Sequence, residues 1–263
     1  MCKVIAIANQ KGGVGKTSLA ANLGIGLTNR GKKVLLIDGD PQGSLTKSLG
    51  YQTYEDTKNG TLATVFDSII NDRSDFDPDT CLLHHRENIT LLPSDKHLEA
   101  IETQLVVTLH REFRLKKYID NVRDDYDYIL IDCMPSLGLV TINALVAADS
   151  VIVPLQPQFL SLKGLEQLIE TINMLRDEGL NPFLTIDGLL LTMVNLRTVH
   201  TKQIIKKVME YYGPYLNIFD TYIPHSIRAS ETAANGTSIF LYDPKGKVAK
   251  AYSALTEEVL SYA

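Results

Sequence analysis

An apolar run, Val4-Ile5-Ala6-Ile7-Ala8, passes through Asn9-Gln10-Lys11-Gly12-Gly13-Val14-Gly15-Lys16-Thr17 into Ser18-Leu19-Ala20-Ala21-Asn22-Leu23-Gly24-Ile25-Gly26-Leu27, which has helical periodicity. A buried strand, a glycine-rich turn and a helix in that order admit few folds. The glycines let backbone N–H groups close around an anion, and the helix N-terminus adds its partial positive charge. Lys16 is placed to reach the β/γ-phosphates of a nucleotide, and the Thr17 hydroxyl to ligate Mg²⁺. The usual phosphate-loop pattern has a glycine five residues before Gly15. That position is Gln10 here, and a second lysine, Lys11, follows it.

The remaining chain repeats the strand–helix theme. Residues 3–8 read as the first strand and 16–29 as the first helix, closed at Arg30-Gly31 with Gly31 as its C′ residue. Lys33 to Ile37 is a second apolar strand running into Asp38-Gly39-Asp40-Pro41-Gln42-Gly43. Residues 44–60 read as a polar connection, Thr61 to Ile70 as a helix capped by Thr61, and the acidic stretch 71–80 as a solvated turn rather than a metal site. Asn88 to Leu92 is a short strand, followed by Pro93-Ser94-Asp95 as the cap of the next helix. Leu109 to Val122 is amphipathic, with Phe113, Tyr118, Ile119 and Val122 inward. Tyr128–Asp132, Ser150–Leu155 and Leu189–Val194 are further buried strands, the last two separated by a helix over Leu160–Glu178. Such short apolar strands between helices predict a doubly wound α/β fold: a mostly parallel sheet with helices on both faces. With 263 residues, 44% of them hydrophobic, a core of that kind is available. No repeat, low-complexity tract or linker divides the chain, so residues 1–263 are expected to form one domain.

Three cysteines, Cys2, Cys81 and Cys133, are odd in number and lack CxxC spacing, which fits reduced thiols better than a disulfide framework or a zinc site. The first strand starts within three residues of Met1 and no apolar run reaches the ~20 residues of a membrane span, so a cytoplasmic location is expected. The net charge is −5, unevenly distributed. Residues 197–250 hold eight Lys and Arg against four Asp and Glu, a local +4 on an otherwise acidic chain.

In open α/β sheets, ligands bind beyond the carboxyl ends of the strands. Three signals fall there: the phosphate loop, Asp38-x-Asp40 after the second strand, and Asp132-Cys133-Met134-Pro135-Ser136 after a later one. Asp132 is placed to hold a water on Mg²⁺, a small ion that keeps several waters and takes few protein ligands. Lys11 to Thr17, Asp38 to Gly43 and Asp132 to Gly138 together resemble the deviant Walker A, A′ and B motifs of the ParA/MinD family of P-loop ATPases, and the similarity runs the length of the chain. It includes Val153-Pro154-Leu155-Gln156-Pro157 and Ile223-Pro224-His225-Ser226-Ile227-Arg228.

The resemblance implies ATP and Mg²⁺ as ligands and a homodimer that sandwiches two nucleotides. It places Lys11, Gly12, Gly13, Val14, Gly15, Lys16, Thr17 and Ser18 around the phosphates, with Lys11 reaching across to the other subunit's nucleotide as an arginine finger does. Gly12 lies at the same crossing. Thr17, Asp38 and, through water, Asp132 are implied for Mg²⁺, and Asp40 for positioning the attacking water, so that Lys11, Lys16 and Asp40 form the catalytic set. The adenine is implied against Pro224 and Ser226, where relatives usually carry Asn; a hydroxyl can bond the base edge, but without an amide carbonyl. Asn195 is a second candidate for the base edge. Met134 replaces a common proline and leaves Asp132 in place.

Members of this family differ by their additions. A membrane-bound MinD-like protein ends in a basic amphipathic helix. Here Val248 to Ala263 carries Glu257 and Glu258 with no Lys or Arg after Lys250, and Val248, Tyr252, Leu255 and Val259 are spaced for packing on the body. Cluster-bearing relatives need cysteine pairs that are missing. A ParA/Soj-like partition ATPase remains, which implies non-specific binding of double-stranded DNA by the ATP dimer, association with the nucleoid in that state, and a ParB-like partner that stimulates slow hydrolysis. Arg197, Arg228, Lys245 and Lys247 lead the candidates for DNA contact, with Lys202, Lys206 and Lys207 behind them. The alternative is a nucleotide-dependent regulator of a replication or division protein with little DNA binding.

Overall fold

The computed structural model describes residues 2–73, 75–158 and 161–262. In chain order, β1 (Lys3–Ile7) leads through the glycine-rich turn to α1 (Lys16–Thr28), β2 (Val34–Gly39), α2 (Ser44–Ser48), α3 (Tyr54–Thr57) and α4 (Leu62–Ile70). A short 3-10 turn at Pro78–Cys81 precedes β3 (Leu83–His84), β4 (Thr90–Leu92) and α5 (Leu98–Val106). Then come α6 (Arg114–Val122), β5 (Tyr128–Cys133), α7 (Leu139–Ala147), β6 (Ser150–Leu155), α8 (Ser161–Asp177), β7 (Thr185–Leu191) and α9 (Val199–Tyr212). Three more helices follow: α10 (Ile227–Glu231), α11 (Ile239–Tyr242) and α12 (Lys247–Ser261).

Seven strands form one sheet in the order β3-β4-β2-β5-β1-β6-β7, parallel throughout except for the β3–β4 edge pair. The chain winds outward from β1 to one side and returns through β6 to the other. The turn after β1 therefore opens at a switch in strand order, where such sheets hold ligands. Alternation along the strands supplies two cores. Val4, Ala6 and Ala8 join one with Leu35 and Ile37, while Ile5 and Ile7 join the other with Val34 and Leu36. Burial on both faces is why these strands read as continuous apolar runs.

Helices α4 to α8 cover the first face; α1, α11 and α12 cover the second. Val248, Tyr252, Leu255 and Val259 of α12 are buried, as their spacing predicts, so this helix packs on α1. Gly26 allows the approach, since a Cβ there would run into the Thr256 hydroxyl. A mid-helix glycine costs about 1 kcal/mol relative to alanine, a cost that close helix packing offsets. Gly31 takes φ +78°, and Lys32 N–H donates to the Leu27 carbonyl, the C-terminal arrangement expected of it. Among the described residues no helix is long and apolar enough to cross a membrane.

Several boundaries differ from the sequence reading, each for a local reason. The polar connection 44–60 contains α2 and α3, which are four or five residues long and too short to show periodicity. Asn88 takes φ +59°, so its strand begins at Thr90. His110 takes φ +49° and a 3-10 turn runs over Arg111–Phe113, so the helix expected from Leu109 starts at Arg114. Phe113 is consequently half-buried, whereas Tyr118, Ile119 and Val122 are buried. Strand β7 begins at Thr185, ahead of the expected Leu189, because Thr185 and Asp187 hide it; Val194 survives only as an isolated bridge to Pro224. Leu160, the expected start of α8, lies outside the described residues. In the acidic stretch, the Asp77 carboxylate accepts from Asp79 N–H and caps the 3-10 turn.

Candidate functional site

Three strand ends converge through their register. Ile7 of β1 and Asp38 of β2 both lie opposite Asp132 of the intervening β5. The segments that follow are the phosphate loop, the Asp40 turn and the loop into α7. Gly13 at φ +72° and Gly15 at φ +92° take conformations that a side chain would strain. Thr192 donates its hydroxyl to the Val14 carbonyl at 2.7 Å and holds the loop from the β7 side. Helix α1 starts at Lys16 with Gly15 as its cap residue, no side-chain cap and no acid in its first turn. Its opening N–H groups are left for an outside anion, the arrangement a phosphate needs.

Lys16 is buried, and its ammonium donates to the carbonyls of Asn9 at 3.0 Å and Lys11 at 3.3 Å. Burial holds it below the usual lysine range, an effect that nearby Asp132 opposes. Lys11 is half-buried at the loop's outer edge. Its N–H donates to the Asn9 carboxamide oxygen at 2.9 Å, and its ammonium to the Gln158 carboxamide oxygen at 2.7 Å. Asn9 also donates to the Pro154 carbonyl at 2.8 Å, which ties the loop to the end of β6. Thr17 is half-buried, whereas Gly12, Gly13 and Ser18 are exposed.

The two carboxylates of the shared rung differ in their surroundings. Asp38 is fully buried and accepts from Thr46 N–H at 2.8 Å, the Thr46 hydroxyl at 2.7 Å and Asp40 N–H at 3.2 Å. Asp132 is equally buried, but neither carboxylate oxygen has a partner within hydrogen-bond geometry. The Thr17 hydroxyl lies close enough to favour the charged carboxylate without completing such a bond. Burial, reinforced by Asp38, pushes Asp132 up to about 8; burial pushes Asp38 up to about 6 against the Thr46 bonds. An unpartnered buried carboxylate beside a hydroxyl fits a hydrated divalent cation, which supplies both the missing partners and the missing positive charge. Thr17 and Asp132 fit that role directly. Asp38 already accepts three hydrogen bonds, and its most evident work is to hold the Asp40 turn. Asp40 is half-buried, and its carboxylate accepts from Gln42 N–H at 2.9 Å.

Beside the loop lies a cavity of about 240 Å³, with Gly15, Ser18, Met193, Pro224, Ser226 and Tyr252 in its lining. Val194 N–H donates to the Ile223 carbonyl and His225 N–H returns to the Val194 carbonyl, which fixes Pro224 at the mouth. The expected base-contact residues Pro224 and Ser226 are thus brought to the phosphate loop. Asn195 is not: it is exposed, outside the cavity lining, and its carboxamide oxygen accepts from Arg197 N–H. Met193, at φ +51°, was missed by sequence reasoning, though its place just after β7 is the strand-end signal used elsewhere. Of the basic candidates, Arg228 pairs with Asp243 at 3.0 Å and so joins Lys245 and Lys247 around the turn before α12, while Arg197 sits in the loop after β7. All four are exposed. The three cysteines are buried and free, and burial pushes their thiols to about 11 for Cys2 and Cys81 and about 12 for Cys133.

A family model described as an AAA domain matches residues 2–186. The sporulation initiation inhibitor protein Soj of Bacillus subtilis (strain 168) is 43% identical over 259 residues, which cover 98% of each chain. The chromosome partitioning protein ParA of Myxococcus xanthus is 41% identical over 260 residues, 98% of this chain and 88% of that one. This chain belongs to the ParA/Soj family of P-loop ATPases. Its fold superposes with a TM-score of 0.84, at 35% identity, on the cobyrinic acid a,c-diamide synthase of Mycobacterium smegmatis with bound ADP and magnesium. That likeness covers 100% of this chain and 95% of the other. As a ParA/Soj relative the chain is an ATPase.

Proposed function

We propose that this chain is an ATP-driven DNA-partition switch: Mg-ATP closes two copies into a nucleotide-sandwich dimer, the dimer binds DNA without sequence preference, and slow hydrolysis releases it. The observation that carries this reading is the buried, unpartnered Asp132 carboxylate beside Thr17, at the foot of an uncapped α1 N-terminus. Lys16 and the N–H groups of Gly13 to Ser18 bind the phosphates; Thr17 and Asp132, the latter through water, hold Mg²⁺, with Asp38 supporting the same shell through the Asp40 turn. When bound, Mg²⁺ neutralises charge on the β- and γ-phosphate oxygens. Magnesium is bound with ADP, and in a second structure with an ATP analogue, in the Mycobacterium smegmatis relative.

The chain's own residues then carry the reaction. Asp40 orients and polarises the attacking water from its turn. Lys16 covers the phosphates of its own subunit, and Lys11 supplies a cation to the nucleotide of the other. Gly12 supports that crossing, since it has no positive φ and a Cβ there would meet none of the described residues within 4 Å. Among the described residues of its own subunit nothing calls for glycine at that position, whereas a second copy closing on the phosphates would. The Pro224–Ser226 cavity takes the adenine. Positioning and electrostatics dominate phosphoryl transfer, so turnover is slow until a ParB-like DNA-binding partner completes the site.

Soj and ParA relatives carry the names of a sporulation inhibitor and a chromosome partitioning protein, and the partition role comes to this chain from them. The dimer gathers the exposed cations Arg228, Lys245 and Lys247, with Arg197, into a surface for DNA phosphates, and the protein works in the cytoplasm on the nucleoid. The test is retention of duplex DNA with Mg-ATP, with Mg-ADP and without nucleotide, over a salt series. Retention with ATP alone, falling on a log–log plot with a slope near −0.9 per phosphate neutralised, is expected. Equal retention in all states, or none at low salt, would leave a nucleotide-dependent regulator of a protein client as the better reading.

A further inference from the structure

Helix α7 follows the Asp132 loop directly, and it lacks the features that normally close a helix N-terminus. Its cap position is Gly138, which has no side chain, and its first turn contains no acid. The cap comes instead from another helix. Glu102, on α5, accepts from Leu139 N–H with one carboxylate oxygen and from Val140 N–H at 3.0 Å with the other. The approach is so close that a Cβ on Gly138 would run into the Glu102 carboxylate. A charged acceptor on two orphan N–H groups is the stronger kind of hydrogen bond and complements the helix dipole.

The other end of α5 reaches the second carboxylate-bearing loop. Leu98 N–H donates to the Asp95 carbonyl, and the neighbouring Ser94 N–H donates to the Thr46 hydroxyl at 3.0 Å. That hydroxyl in turn donates to Asp38. One helix therefore braces both loops of the site, the Asp38–Asp40 turn through Ser94 and Thr46, and the Asp132 loop through Glu102.

We propose that Glu102 is a positioning residue for ATP hydrolysis: by capping α7 from α5 it fixes residues 133–138 and so holds Asp132 in line with Thr17. The inference rests on the reading of Asp132 as the Mg²⁺-side carboxylate. None of the motifs that mark the nucleotide site includes Glu102, and it touches no reacting group.

The test uses the full chain and the variants Glu102→Gln, Glu102→Ala, Gly138→Ala, Glu102→Ala with Gly138→Ala, and Asp132→Asn. Glu102→Gln keeps one acceptor oxygen and loses the charge. Its kcat is expected to fall about tenfold, the scale seen when an outer-shell partner is removed, with affinity for a fluorescent ATP analogue within about twofold. In Glu102→Ala without nucleotide, the amides of Leu139 and Val140 are expected to exchange with deuterium at least about tenfold faster, while those of β1 and β5 are unchanged. Gly138→Ala displaces the same carboxylate, so the double variant is expected to turn over no more slowly than the worse single one. Faster exchange at Leu139 and Val140 with kcat within about twofold of the unsubstituted chain makes the contact structural only and overturns the inference. Unchanged exchange, or single effects that multiply in the double variant, overturns it as well. If Asp132→Asn hydrolyses ATP normally, the site reading beneath it fails, a result separate from any of the Glu102 outcomes.

Discussion

Lys16 and Lys11 stand five residues apart in one loop, yet their ammonium groups are held differently, and that difference separates their expected roles. Lys16 is buried on two main-chain carbonyls that a phosphate can replace. Lys11 is held at the rim by the Gln158 side chain. Charge-assisted hydrogen bonds are worth about 1.5–3 kcal/mol each, so Lys16→Ala, losing two or more to a nucleotide, is expected to weaken ATP binding at least about 100-fold. Lys11→Ala is expected to leave nucleotide affinity within about twofold, since its target belongs to the other subunit; equilibrium binding of a fluorescent ATP analogue checks both. A second expectation concerns Asp132. Its carboxyl is raised from the ordinary aspartate range to about 8 by burial and by Asp38. A carboxyl raised on folding binds more protons in the native state than in the unfolded one, so stability is fully present below pH ~4 and is lost as pH rises toward about 8. Asparagine does not titrate. The thermal midpoint of Asp132→Asn minus that of the unsubstituted chain, without Mg²⁺ or nucleotide, is therefore expected to increase from pH 5 to pH ~8.5; a flat difference refutes the raised carboxyl.

At the scale of elements, the strands that carry the site were legible and several elements around it were not. Val4–Ala8, Val34–Ile37 and Tyr128–Ile131 are buried on both faces, so their composition alone announces them. Helices α2 and α3 are too short to be stable or periodic in isolation; α2 packs on α1, and α3 is closed by a local capping box between Thr53 and Asp56. Thr46 on α2 is the clearest case. Its hydroxyl donates to Asp38 and accepts from Ser94 N–H, and its N–H also reaches Asp38. No local pattern marks that threonine, because its two partners, Asp38 and Ser94, lie 8 and 48 residues away. Among the candidate site residues, motif spacing singled out Asp132 and Lys16, and the strand-end position points to Met193, whereas the contact of Glu102 with the start of α7 is one that no local sequence feature encodes. Thr46→Val removes the hydroxyl and leaves Ser94 N–H without its partner and Asp38 short of one. A loss of about 1–3 kcal/mol in unfolding free energy is expected from denaturant titration. A further loss of ATP turnover at temperatures where the variant stays folded is expected as the Asp40 turn loosens.

For the whole molecule, the sheet order matters more than any one motif. Placing β5 between β2 and β1 brings carboxylates 94 residues apart in sequence onto one rung, and the turn after β7 brings Met193 to the cavity beside the phosphate loop. Covering both faces with helices leaves the strand ends as the surface where nucleotide, partner and second copy can meet. The order of events in the proposed switch can then be separated with two residues. Asp40 lies on the turn after β2 and Lys11 on the loop after β1, so each can be removed without disturbing the other's contacts. Asp40→Ala removes the group that orients water but leaves the phosphate loop, so hydrolysis is expected to fall about 100-fold or more while the ATP dimer persists. Sedimentation with Mg-ATP is expected to show a long-lived dimer for Asp40→Ala, a monomer for Lys11→Ala, and a monomer for the double variant, because Lys11 acts before hydrolysis. A dimer in the double variant means that the sandwich closes without the second lysine, and Lys11 then belongs to chemistry rather than to assembly.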